Sequence, residues 1–229
     1  NTGTAAGYAY TSAKSDAEAA RFLLQAQGYA TDSDIAAVRS QGYLPWLAAQ
    51  FDAAPAQSGW DWFNGKYASQ TNFGFDNMIW AQLMGSNDAM RKRMALALSE
   101  IFVVSGNDIG SSWPNHMMAQ YWDTLVAGVT GNFRNLLEAI SLDPAMGHYL
   151  NTKGNQKENS QGRQPDENYA REVMQLMTIG LVQLDSKGQP RTAADGSKLD
   201  SYTQDDVTNL ARVFTGYDLN VAAGEENAS

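Results

Sequence analysis

Residues 165–180 read PDENYAREVMQLMTIG and follow a run, 151–164, that holds no apolar residue. A helix is therefore expected to start abruptly out of a solvated loop. Pro165 suits the first helical position, where a missing N–H removes no bond. Asp166 and Glu167 then sit where the helix dipole favours negative charge. At about 100° per residue, Tyr169, Val173, Leu176, Met177 and Gly180 share one face. Glu172 falls inside that apolar arc, while Glu167 and Arg171 lie opposite it as an i,i+4 pair. A carboxylate on a buried stripe must be paired or protonated, so this helix is the first place to look for a site. It names no reaction.

Downstream, 181–202 (LVQLDSKGQPRTAADGSKLDSY) is punctuated by Gly188, Pro190 and Gly196 and is expected to form a small β-hairpin excursion. Thr203 and Asp206 are placed to cap a last helix with Val207, Leu210, Ala211 and Phe214 on its apolar face. Upstream, NFRNLLEAISLD gives an amphipathic helix ending at Asp143-Pro144, and AMGHYLN is expected as a turn. Pro114 opens another helix, and 87–105 is expected to be the longest one. Residues 57–70 carry Trp60, Trp62, Phe63 and Tyr67 on a further helix. Ser15 and the Thr31/Asp34 pair are N-terminal signals of two early helices. The fold class expected is mainly α: a loose arm at 1–14, an irregular multi-helix domain at 15–217, and a polar tail at 218–229. No fixed-period repeat is evident.

Composition narrows the function classes. Sixteen basic against 25 acidic residues leave a net charge of −9, which argues against a nucleic-acid binder that must neutralise phosphates. The chain has no cysteine, which excludes disulfides, thiolate catalysis and Cys-based zinc sites. No apolar run approaches the ~20 residues of a membrane helix. The first residue is Asn1, so removal of a leader is expected. Six Trp, ten Tyr and many small polar residues fit an exported bacterial protein. The sequence names no cofactor and leaves metal dependence open.

Five blocks together resemble one family. They are AARFLLQA at 19–26, RMALALSEIFVVS at 93–105, GNFRNLLEAISLDPAMGHYLN at 131–151, PDENYAREVMQLMTIGL at 165–181 and YTQDDVTNLARVFTGY at 202–217. The pattern resembles the bacterial family known as domain of unknown function 1800. The resemblance implies an exported protein, often encoded beside a sulfatase-like partner, with no established reaction. The family's Asn-Glu-Asn is Asp166-Glu167-Asn168 here. Its pattern also runs on past Thr215-Gly216-Tyr217, so this chain is expected to represent the N-terminal half of a larger unit, with a C-terminal half as partner.

The candidate catalytic residues are Glu167, Glu172 and His148, able in principle to do general acid–base work. Arg171, Asn168, Asn151 and Arg93 are candidate binding residues around them. Each has a plainer alternative. Glu172 can meet Arg93, Arg134 or Arg212 in a buried ion network, His148 can be a hydrogen-bonded structural residue, and Arg93 can pair with Glu100 along one helix. His116 is a weaker candidate of the same kind. Two histidines without an H-E-x-x-H pattern give no metal motif. Asp185, Asp195 and Asp200 read as solvated turns rather than a calcium loop. The aromatics at 60–67 can stack on sugars or fill a core. The reading is an accessory or binding protein at the cell surface, for polysaccharide; the alternative is a hydrolytic or metal-assisted enzyme using Glu167, Glu172 and His148.

Overall fold

Local capping signals set most helix starts. In the computed structural model, which describes residues 12–67, 74–110 and 113–220, Ser15 Oγ accepts the Glu18 N–H at 3.3 Å and opens α1 (Asp16–Ala26). Thr31 and Asp34 form a capping box on α2 (Asp32–Gln41), and Thr203 and Asp206 form another on α11 (Gln204–Val213). Such boxes satisfy two otherwise orphaned N–H groups at once. Between them lie α3 (Tyr43–Asp52), α4 (Gly59–Tyr67), α5 (Phe75–Gly85), α6 (Ala89–Ser99), α7 (Pro114–Gly128), α8 (Phe133–Ser141), α9 (Pro144–Tyr149) and α10 (Asn168–Glu172). The fold is mainly α. Among the described residues no helix is long and apolar enough to cross a membrane.

The chain divides into two compact units, 1–98 with 125–131 and 99–124 with 132–229. In the first, Ala19, Leu23, Val38, Trp46 and Met90 form the core. Phe22 packs edge-on to Trp46, with ring centroids 5.2 Å apart. In the aromatic run at 60–67, Trp62 and Phe63 are buried and Trp60 is exposed. The Tyr67 side chain and residues 68–70 lie outside the described residues. Asp88 is fully buried beside Lys92 Nζ at 3.8 Å and accepts the Ala56 N–H.

In the second unit, α8 turns Leu136 and Ile140 inward, and α10 meets α11. Tyr169 stacks edge-on to Phe214 at 4.7 Å, and its hydroxyl meets Ser141 Oγ at 2.5 Å. Tyr121 OH donates to the Phe102 carbonyl, and the Phe102 and Phe133 rings stack.

Four expectations are corrected. The helix expected over 87–105 ends at Ser99, and α7, with 15 residues, is longer. Beyond Ser99 come the β-branched Val103 and Val104 and then Gly106, all weak helix formers. Ser105 caps a new 3-10 turn, Gly106–Asp108, by accepting the Asn107 N–H. The turn expected after Asp143 is instead a helix, α9, because Asp143 Oδ1 caps the Ala145 N–H at 2.9 Å and Pro144 takes the first helical position.

The helix expected from Pro165 starts only at Asn168 and becomes a π-helix at Val173–Met177. The i→i+5 winding moves Leu176 out of the expected apolar stripe, leaving it 53% exposed, and brings Met174 in.

The fourth correction concerns 181–202. In place of a hairpin there are three isolated antiparallel bridges, Val182–Asp200, Leu184–Pro190 and Thr192–Lys198. Their middle residues close a ring: Gln183 N–H donates to Leu199 O, Leu199 N–H to Arg191 O, and Arg191 N–H to Gln183 O, at 2.9, 3.0 and 2.8 Å. Gly188 and Gly196, with φ of 76° and 85°, make the turns between segments. Two turns so close together leave each segment too short for a strand.

Candidate functional site

Asn155, a buried side chain, ties the polar run 151–164 to its surroundings. Asn155 Oδ1 accepts the Asp166 N–H at 2.9 Å, while its Nδ2 donates to the Asp166 and Phe214 carbonyls at 3.3 and 3.1 Å. Two backbone bonds, Gly154 N–H to Tyr217 O and Gly216 N–H to Asn155 O, both 2.8 Å, fasten the loop to the end of α11. Asp166 is thereby held out of the helix, and it caps the Asn168 N–H at 2.8 Å. Asn151, with φ of 61°, donates from Nδ2 to Asp166 Oδ2 at 3.1 Å.

These bonds shape a groove of about 510 Å³ walled by Asn151, Gln156 and Gln164, with Lys153 and Arg163 adding positive charge and Asp166 a carboxylate. Arg163 uses its Nε on the Lys157 carbonyl at 3.0 Å. The lining is polar and amide-rich, able to donate and accept hydrogen bonds in many directions.

Glu167 is occupied. Arg171 donates to its Oε2 at 2.9 Å, Gln204 Nε2 reaches both oxygens, and Thr208 Oγ1 donates to Oε1 at 2.9 Å. The Gln204 and Thr208 hydrogen bonds, ahead of the Arg171 charge, hold its carboxyl below the usual range. The arrangement braces α10 against α11.

Glu172 is different. Its Oε2 is buried without a hydrogen-bond partner. It stands at the start of the π-helix and lines a cavity of about 240 Å³ with Ile101, Val103, Tyr149, Leu176 and Met177. Thr178 Oγ1 donates to the Val173 carbonyl at 2.6 Å and fastens the wide turn at its end. π turns of this kind are often found at functional sites.

The groove, the brace and the cavity all lie within residues 21–229, over which the chain matches the family described as "Protein of unknown function (DUF1800)". The chain belongs to that family. No match was found among curated proteins or among solved structures.

The remaining candidates of this DUF1800 chain can be placed one by one. Neither Glu167 nor His148 lines the Glu172 cavity, so the expected catalytic trio does not share one. His148 lies in α9 with Nε2 buried and unpartnered. Burial, and then the charge of Lys153, hold its imidazole below the usual range, with Asp218 pulling the other way. Asn168 is exposed and outside the groove lining. Arg171 serves Glu167 and also Gln204, at 3.2 Å.

Arg93 lies on α6 in the first unit, and Glu100 lies past the end of that helix. Arg212 pairs with Glu158 at 3.1 Å, not with Glu172. The His116 ring sits edge-on to Trp113. Asp185 and Asp195 cap their own turns through Lys187, Gln189 and Ser197. Among the described residues no three His, Asp or Glu side chains converge to hold a metal ion.

The sequence reading missed Asn155, Lys153, Arg163 and Gln164. The signal for them was the length of the polar run, whose amides and cations had a place in the fold rather than in a free loop.

Proposed function

We propose that this family member is an exported accessory protein that binds polysaccharide at the cell surface, with the 151–166 groove as its binding face. The observation that carries the reading is the groove's lining: four amide side chains, two cations and one carboxylate around about 510 Å³. A sugar ring presents donors and acceptors on every side, and amides answer both. Lys153 and Arg163 add donors suited to ring hydroxyls or to the carboxylates of acidic sugars. The composition, free of cysteine and rich in Trp and Tyr, supports the exported setting.

The hydrolytic alternative is favoured by the unpartnered Glu172 carboxylate, which sits where a general acid or base would be useful. Against it, neither Glu167 nor His148 lines its cavity.

The test is calorimetric titration of the full chain with neutral and uronic-acid oligosaccharides. Binding is expected, weakened about ten-fold by Gln164→Ala or Arg163→Ala, as for loss of one good hydrogen bond. No binding to either class, or variants that bind like the wild type, would remove the reading.

A further inference from the structure

We propose that the Glu172 cavity binds a small primary alkylammonium ligand. The inference is independent of the polysaccharide groove, since the two cavities share no lining residue.

The carboxylate supplies the first half of the argument. Its Oε2 is buried and has no hydrogen-bond partner, and Glu172 is absent from the ion pairs among the described residues. Its neighbour Arg171 is committed to Glu167 and Gln204. A buried acceptor left unmet costs the full desolvation of that group, and a carboxylate beside apolar walls is best satisfied by a donor that also carries positive charge.

The walls supply the second half. Ile101, Val103, Leu150, Leu176 and Met177 make the wall mainly apolar, with the Tyr149 hydroxyl the one other polar side-chain group beside Glu172, so most of the ligand must be hydrocarbon. Leu176 is 53% exposed, and Ile101 and Val103 are each 39% exposed; apolar surface beside the cavity is there to be covered. At about 240 Å³ the space falls below the ~300–1,000 Å³ of drug-sized sites, which sets a short alkyl chain. A quaternary ammonium brings charge without an N–H donor. An alcohol brings a donor without charge. A sugar would press hydroxyls against Ile101 and Val103. The π-helix holds the geometry: it begins right after Glu172 and carries both Leu176 and Met177.

The experiment follows methionine methyl resonances of the full chain by NMR, with Met177 assigned through Met177→Leu. The probes are n-butylammonium, n-butanol and tetramethylammonium. The expected result is a saturable shift of the Met177 methyl with n-butylammonium, at least about ten-fold tighter than with either control. Glu172→Gln, close to isosteric, is expected to lose that preference. Val103→Trp, a change at a partly exposed position that narrows the cavity, is expected to abolish the shift. It keeps the proposal testable should Glu172→Gln fail to fold. Equal response to n-butanol, unchanged binding in Glu172→Gln, or binding that survives Val103→Trp would overturn the proposal, as would the absence of any saturable shift.

Discussion

Gln204 donates from its side-chain amide to both carboxylate oxygens of Glu167, at 3.1 and 2.9 Å. With Arg171 and Thr208 also donating, this carboxylate has spent its acceptor capacity on holding α10 to α11. The same α10–α11 contact also carries the Tyr169–Phe214 ring pair.

Glu167→Gln is therefore expected to destabilise the fold by about 1–2 kcal/mol, partial exposure keeping the loss modest. The check is a double-mutant cycle with Gln204→Ala, read by denaturant melts. A coupling energy near zero would contradict the brace. The pH dependence has a defined sign: this carboxyl is held below its ordinary value, so its contribution is present above pH ~4.5 and fades as pH falls through the depressed pKa.

Asn155→Ala removes three side-chain hydrogen bonds, two to Asp166 and one to Phe214. The expected loss is about 2–4 kcal/mol, with faster hydrogen exchange at the Asp166 and Gly216 amides. Unchanged exchange at those amides would show that the loop is ordered by other contacts.

Asp143 gives a pH prediction of opposite sign. Burial pushes its carboxyl up to about 6, against the lowering effect of the Ala145 and Met146 amides. A carboxyl whose folded pKa stands above its unfolded value stabilises most when protonated. The contribution is full below pH ~4 and is lost as pH rises through about 6. Asp143→Asn keeps the capping oxygen and carries no charge. The variant is expected to be more stable than the wild type by about 1–2 kcal/mol at pH 7 and to show no advantage near pH 4. A variant less stable at pH 7 would mean that the cap needs its charge.

What could be read in the sequence was what is local. The caps at Ser15, Thr31 and Thr203 are bonds between residues three apart, and the Leu136/Ile140 stripe of α8 follows from helical spacing alone. Asn155 could not be weighed this way, because its partner Phe214 lies 59 residues on. The π-helix changes the register that a 3.6-residue wheel assumes, so the wheel puts Leu176 on the wrong side. The ring of Gln183, Arg191 and Leu199 is built from backbone groups, which leave no side-chain signature. The site was half legible: the polar run was conspicuous, but which of its side chains would line a groove depended on Asn155.

The most direct test of the account maps backbone amide shifts of the full chain during titration with a binding oligosaccharide. The account predicts that the largest perturbations fall within 151–166, centred on Lys153, Gln156, Arg163 and Gln164. Perturbations centred on the Glu172 cavity, or on the exposed Trp60 and Trp80, would contradict it.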